Sequence, residues 1–102
     1  MPEKNFEIWI DSSTVIRVYR NTISGRLVSF AVVLLNLHNG EWVDIQRFDT
    51  AHGCPHRDIL GNKGGLLQKI WYDDLSSKEV FALAISTFES NYEQIKRDYF
   101  AL

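Results

Sequence analysis

Asp49, His52, His56, Arg57 and Asp58 fall within ten residues of one another in the segment RFDTAHGCPHRD, and each can hold charge or move a proton. Histidine is the side chain that both gives and takes a proton near neutral pH, and a neighbouring carboxylate can fix its ring. Pro55 cannot continue a helix and Gly53 weakens one, so His52 and His56 are not the i, i+4 pair of a helical metal site. They belong to a shaped loop, a common place for function on a rigid sheet.

Three chemistries suit this set. In the first, Asp49 orients His52 and the remaining polar groups satisfy loop backbone, with no reaction. In the second, His52 and His56 are the acid–base pair of a metal-independent ribonuclease, Asp49 orients one ring, and Arg47, Arg57 and Lys63 hold the phosphate charge. In the third, His52 and His56 supply nitrogen and Asp49 or Asp58 supplies oxygen to zinc or manganese. His52, His56 and Asp58 form the ligand set of that alternative, and otherwise no cofactor is expected.

Cys54 lies in the same loop, where two histidines would lower its pKa, but no nucleophile signature surrounds it and an incidental thiol is the expectation. The stretch Gly61-Asn62-Lys63-Gly64-Gly65 is glycine-rich with a lysine yet lacks the Gly-x4-Gly-Lys-Ser/Thr order of a phosphate loop, so it reads as a flexible connection.

The elements that must position this loop are legible by period. Phe6, Ile8 and Ile10 alternate, as do Ile16 and Val18, and Leu27 to Leu37 is apolar on both sides like a central strand. Asn39-Gly40 accepts the positive φ angles of a two-residue hairpin turn. Facing residues then sum to 79, so Leu34 faces Ile45, Val32 faces Arg47 and Phe30 faces Asp49. One face carries Phe30, Val32, Leu34, Val43 and Ile45, with Arg47 and Asp49 continuing the row. The other carries Ala31, Val33, Leu35 and Leu37 beside Trp42, Asp44, Gln46 and Phe48, apolar enough to need a cover from a partner subunit or from the middle of the chain. Two short apolar stretches, Ile59-Leu60 and Leu66 to Tyr72, flank the glycine loop as a further hairpin. Ser76 and Glu79 have capping-box spacing, and Phe81, Ala84, Phe88, Tyr92, Ile95 and Tyr99 form one helical stripe.

These elements predict an α+β fold, an antiparallel meander of about four to five strands packed against one C-terminal helix, and the 102 residues leave room for a single domain. The apolar run Phe30 to Leu35 is far short of the ~20 residues that span a bilayer. The opening MPEKNFEIWID lacks the basic-then-apolar order of a signal peptide, so a cytoplasmic location is expected. Between Thr14 and Ile70 seven basic residues stand against four acidic ones, a mildly basic middle that would suit a phosphate backbone if it formed one surface.

Arg47-Phe48-Asp49-Thr50-Ala51-His52, followed by Pro55-His56, resembles the Arg-Tyr-Asp-x-x-x-His and Pro-His pattern of TumE-type toxins of prokaryotic toxin–antitoxin pairs. It is also similar to small prokaryotic proteins that share the arrangement R-F/Y-D-x-x-H-G-x-x-H-x-D. TumE-type chains carry a longer insertion between the two histidine clusters, where this chain has three residues. The resemblance implies a toxin-like protein acting on RNA with an antitoxin-like partner, and it places Arg47, Asp49, His52 and His56 at matching positions. The rival reading from the residues is a non-enzymatic homodimeric interaction module whose Asp–His loop is structural or metal-binding.

Overall fold

Alternating apolar residues and tight turns deliver six strands in sequence: β1 (Glu3–Asp11), β2 (Thr14–Ile23), β3 (Arg26–His38), β4 (Glu41–Asp49), β5 (His56–Leu60) and β6 (Leu66–Trp71). They form one antiparallel sheet in the order β1-β2-β3-β4-β5-β6, a meander one strand longer than the upper expectation. Among the described residues one α-helix, α1 (Ser77–Phe100), follows. The computed structural model describes residues 3–101, and of His52 the backbone only.

The turns are built by residues that tolerate positive φ. Asn39 and Gly40, at +51° and +80°, join β3 to β4, and Ser24 and Gly25, at +52° and +77°, join β2 to β3. Both pairs have the sign pattern of a mirror-type turn, whose twist matches that of the flanking strands. Ser76 caps α1: its side chain accepts from the Glu79 N–H at 3.1 Å, and Glu79 Oε1 accepts from the Ser76 N–H at 2.9 Å.

Helix α1 lies across one face of the sheet. Val80, Ala84, Phe88 and Ile95 are buried against Ile16, Val18, Phe30, Val32, Leu34, Ile45 and Phe48, with Phe81, Tyr92 and Tyr99 partly buried around them. Each such large side chain removed from water contributes roughly 1.5–3 kcal/mol before entropy is counted. Phe48 is the hinge of this packing, edge-on to Phe88 at 5.3 Å and stacked on Tyr72 at 6.0 Å.

The β3–β4 register departs from the uniform one the turn implies. His38 to Leu35 pair with Glu41 to Asp44 as expected, but Leu34 pairs with Gln46, Val33 with Arg47, Val32 with Phe48 and Ala31 with Asp49. Ile45 is the extra residue of a bulge between the two halves, and such a bulge moves everything beyond it to the opposite face. Phe48 and Gln46 therefore join the helix side, while Arg47 and Asp49 leave the row of Phe30, Val32 and Leu34 for the uncovered side. The middle of the chain does not fold over that side; it extends the sheet as β5 and β6.

Candidate functional site

Cross-strand partners in an antiparallel sheet share a face, so the register assembles the site. Asp49 pairs with His56 and His56 with Trp71; Arg47 pairs with Asp58 and Asp58 with Lys69. All six lie on the face away from α1, in two adjacent rows across β4, β5 and β6.

Their side chains converge. His56 Nε2 is 3.0 Å from Asp49 Oδ1 and 3.7 Å from Asp58 Oδ2. Arg47 donates through Nε to Asp58 Oδ2 at 3.0 Å and lies 3.6 Å from Asp49 Oδ2, and Lys69 Nζ is 3.5 Å from Asp58 Oδ1. The His56 and Asp58 side chains are 2% and 3% exposed, whereas Arg47 is 41% exposed, so a guanidinium at the surface roofs a carboxylate beneath it. Trp71 closes the other side, its ring 4.9 Å from the imidazole. Asp49 is held in turn by the Ala51 N–H, which donates to Oδ1 at 3.0 Å from the 3-10 turn Ala51–Gly53.

Both neighbours of the His56 ring are acceptors: Nδ1 sits 3.1 Å from the Cys54 carbonyl and Nε2 faces Asp49. The ring satisfies both only when both nitrogens carry hydrogen. Through these two contacts His56 clamps β5 to the loop before it, and Nε2 meets another molecule only after Asp49 is displaced.

The other sequence-predicted residues are distributed differently. Arg57 pairs with Phe48 and so points to the helix side, where Nε and Nη2 donate to Gln46 Oε1 at 2.9 and 2.7 Å and the guanidinium lies 5.1 Å from the Phe48 ring centre. It is thus separated from Arg47 by the sheet itself. Lys63 is exposed on the connection between β5 and β6, outside the cluster. The side chain of His52 lies outside the described residues. Cys54 does not have the lowered pKa that two nearby histidines would give it: partial desolvation and the Asp73 carboxylate, 3.5 Å from Sγ, push its pKa up. Lys69 and Trp71 were not singled out by residue type; their signal is the two-residue spacing that puts both on one face of β6, readable only once β6 is paired to β5.

Elsewhere a cleft of about 570 Å³ opens at the C-terminal end of α1, lined by Asn36, His38, Asn62, Lys96 and Tyr99, and it does not reach the Asp–His cluster. Among the described residues no helix is long and apolar enough to cross a membrane.

A six-stranded meander with one covering helix and an ion cluster on its open face defines the class of protein. The chain belongs to the family described as Domain of unknown function (DUF7718), whose model matches residues 1–101. No curated protein and no solved structure matches it.

Proposed function

We propose that the chain is an interaction module that pairs with a second copy of itself through the open face of its sheet. The observation that carries this reading is the placement of tryptophan. Trp9, Trp42 and Trp71 are the only three in the chain, all stand on that face, and they are 54%, 39% and 47% exposed. Trp9 and Trp42 meet edge-on at 5.5 Å above the buried Val15 and Leu35, with Leu37 beside them. Tryptophan in such a setting is the residue most enriched at the centres of protein interfaces.

The charges of the face suit a protein better than a nucleic acid. Glu3, Glu7, Asp44, Asp49 and Asp58 share it with Arg17, Arg47 and Lys69, a balance that does not draw a phosphate backbone. Glu7 pairs with Arg17 at 3.2 Å, and Asp58 with Arg47 and Lys69, which leaves Glu3 and Asp44 as the carboxylates on this face that a partner has to meet. Strands of 5 to 13 residues, at about 3.3 Å per residue and about 4.8 Å apart, give a sheet face on the order of 800 Å², comparable to the ~800 Å² per partner of a standard interface. Acidic Glu3 and Glu7 mark the β1 edge and Lys69 the β6 edge. A two-fold axis along the strands lays one edge over the other and brings opposite signs together.

Sedimentation at micromolar concentration tests this. Wild type is expected as a dimer, and Trp9→Glu with Trp71→Glu as a monomer with unchanged circular dichroism. A wild-type monomer at about 100 μM, well above the Kd of a standard interface, sinks the reading.

A second reading keeps the toxin-like acid–base chemistry on RNA, with an antitoxin-like protein on the same face. It is supported by the convergence of Arg47, Asp49 and His56, three of the four positions the resemblance marks. Growth arrest and RNA cleavage, lost in folded His52→Ala or His56→Ala variants, are its expected signature; a purified protein that leaves RNA intact counts against it.

A further inference from the structure

We infer that Asp49, His56 and Asp58 bind a divalent transition-metal ion on the open face of the sheet, with a nitrogen donor from His56 and one oxygen donor from each aspartate. The inference goes beyond the dimer reading and does not depend on it.

Geometry is the first support. An ion about 2.0–2.2 Å from nitrogen and oxygen donors places neighbouring donors roughly 3.0–3.6 Å from one another. Here His56 Nε2 lies 3.0 Å from Asp49 Oδ1 and 3.7 Å from Asp58 Oδ2, and donor atoms of all three residues lie within 4.8 Å of one another. Little movement is needed to close them on a common centre.

The wiring of the histidine is the second. Nδ1 is engaged by the Cys54 carbonyl at 3.1 Å, which fixes the ring and leaves Nε2 as the inward atom. Metal-bound histidines have this same outer-shell bond, which sets the tautomer that presents Nε2. An ion between the ring and the carboxylates takes the place of the Nε2 hydrogen.

Third, the side chain of Asp58 is 3% exposed, and its buried Oδ1 has no hydrogen-bond partner among the described residues, with Lys69 Nζ standing off at 3.5 Å. A buried carboxylate oxygen without a donor loses its hydration with little in return. Carboxylate oxygens have lone pairs enough for Arg47 and an ion together, so the arginine becomes an outer-shell clamp on Asp58. With Arg47 and Lys69 both close by, the ion leaves the site with an excess of positive charge.

The test uses the full chain, purified without an affinity tag and stripped with chelator, titrated with Zn²⁺ and separately with Mn²⁺ by calorimetry. One ion per chain is expected, with Asp49→Asn and Asp58→Asn each weakening binding by about 100-fold, at or beyond the upper end of outer-shell losses. His38→Ala, remote from the cluster, leaves it unchanged. Because either aspartate variant could unfold, the wild-type protein supplies a second measurement. In nitrogen-15 spectra of the imidazoles, Zn²⁺ must move the His56 Nε2 resonance and leave Nδ1 with its hydrogen-bonded shift. Absence of stoichiometric binding, binding indifferent to both aspartates in folded variants, or an ion that moves only other histidines would overturn the inference.

Discussion

Arg47 and Arg57 show how far the environment of a residue departs from its type. Both pair across the β4–β5 ladder, yet Arg47 roofs Asp58 on the open face while Arg57 forks onto Gln46 and covers Phe48 on the helix face. Arg57 is thereby tied to the sheet rather than offered to a ligand. Cys54 is a second case. Desolvation and then the Asp73 carboxylate disfavour its thiolate, and the thiolate is the reactive form. Alkylation at pH 8 should run slower than in a free cysteine peptide, and Asp73→Asn should quicken it by removing the nearby negative charge; a rate indifferent to Asp73 would show that the carboxylate is not felt. Asp58 anchors Arg47 and Lys69, so Asp58→Asn is expected to lower unfolding stability by about 1.5–3 kcal/mol, the range for hydrogen bonds to charged groups. A urea titration gives that value directly. Replacing Arg47 as well should recover part of the loss, because the surface cation no longer faces an absent partner.

Two elements carry predictions of their own. In α1 the capping box depresses the Glu79 pKa from its ordinary value of 4.5, mainly through the backbone N–H of Ser76. A carboxyl whose folded pKa is lowered stabilises above its unfolded value and loses that contribution as pH falls through the folded one. Wild type should therefore shed stability below about pH 4.5 more steeply than Glu79→Gln, read from urea midpoints across the acid range. Ser76→Ala should cost about 1 kcal/mol at neutral pH, the usual price of an N-cap. Strand β4 supplies the sharper contrast. Phe48→Ala should destabilise by about 3–5 kcal/mol, as for other buried phenylalanines, while the adjacent Gln46 and Phe48 share the helix side only because Ile45 is bulged out of register. Were Phe48 on the open face instead, its loss would leave the monomer nearly as stable and affect association alone.

At the scale of the whole molecule the asymmetry of the sheet dominates. One face is sealed by α1, and the other presents three tryptophans among paired charges. If that face closes against a second copy, tryptophan emission should shift to the red on dilution through the dimer dissociation range, since all three rings return to water together. Constant emission over a range in which sedimentation shows dissociation would mean the contact lies elsewhere. A cover for this face is the requirement that the apolar content of β3 and β4 implies, and the chain meets it on one side only.

The order of elements and their ends were legible from residues alone, because they depend on local chemistry. Asn39-Gly40 turns the chain, Ser76 with Glu79 starts the helix, alternation marks β1 and β2, and the 3.6-residue stripe from Phe81 to Tyr99 becomes the core side of α1. Which side chains meet was a different matter. A single extra residue at Ile45 reverses the faces of everything after it, and nothing in β4 by itself announces that shift. Packing of Phe48 between Phe88 and Tyr72 decides it, and those rings arrive from 24 to 40 residues away. For the same reason the loop segment showed Asp49, His56 and Asp58, but not that Lys69 and Trp71 complete their surroundings, nor that Arg57 is turned to the far side of the sheet. Local periodicity names the candidates, and long-range pairing chooses among them.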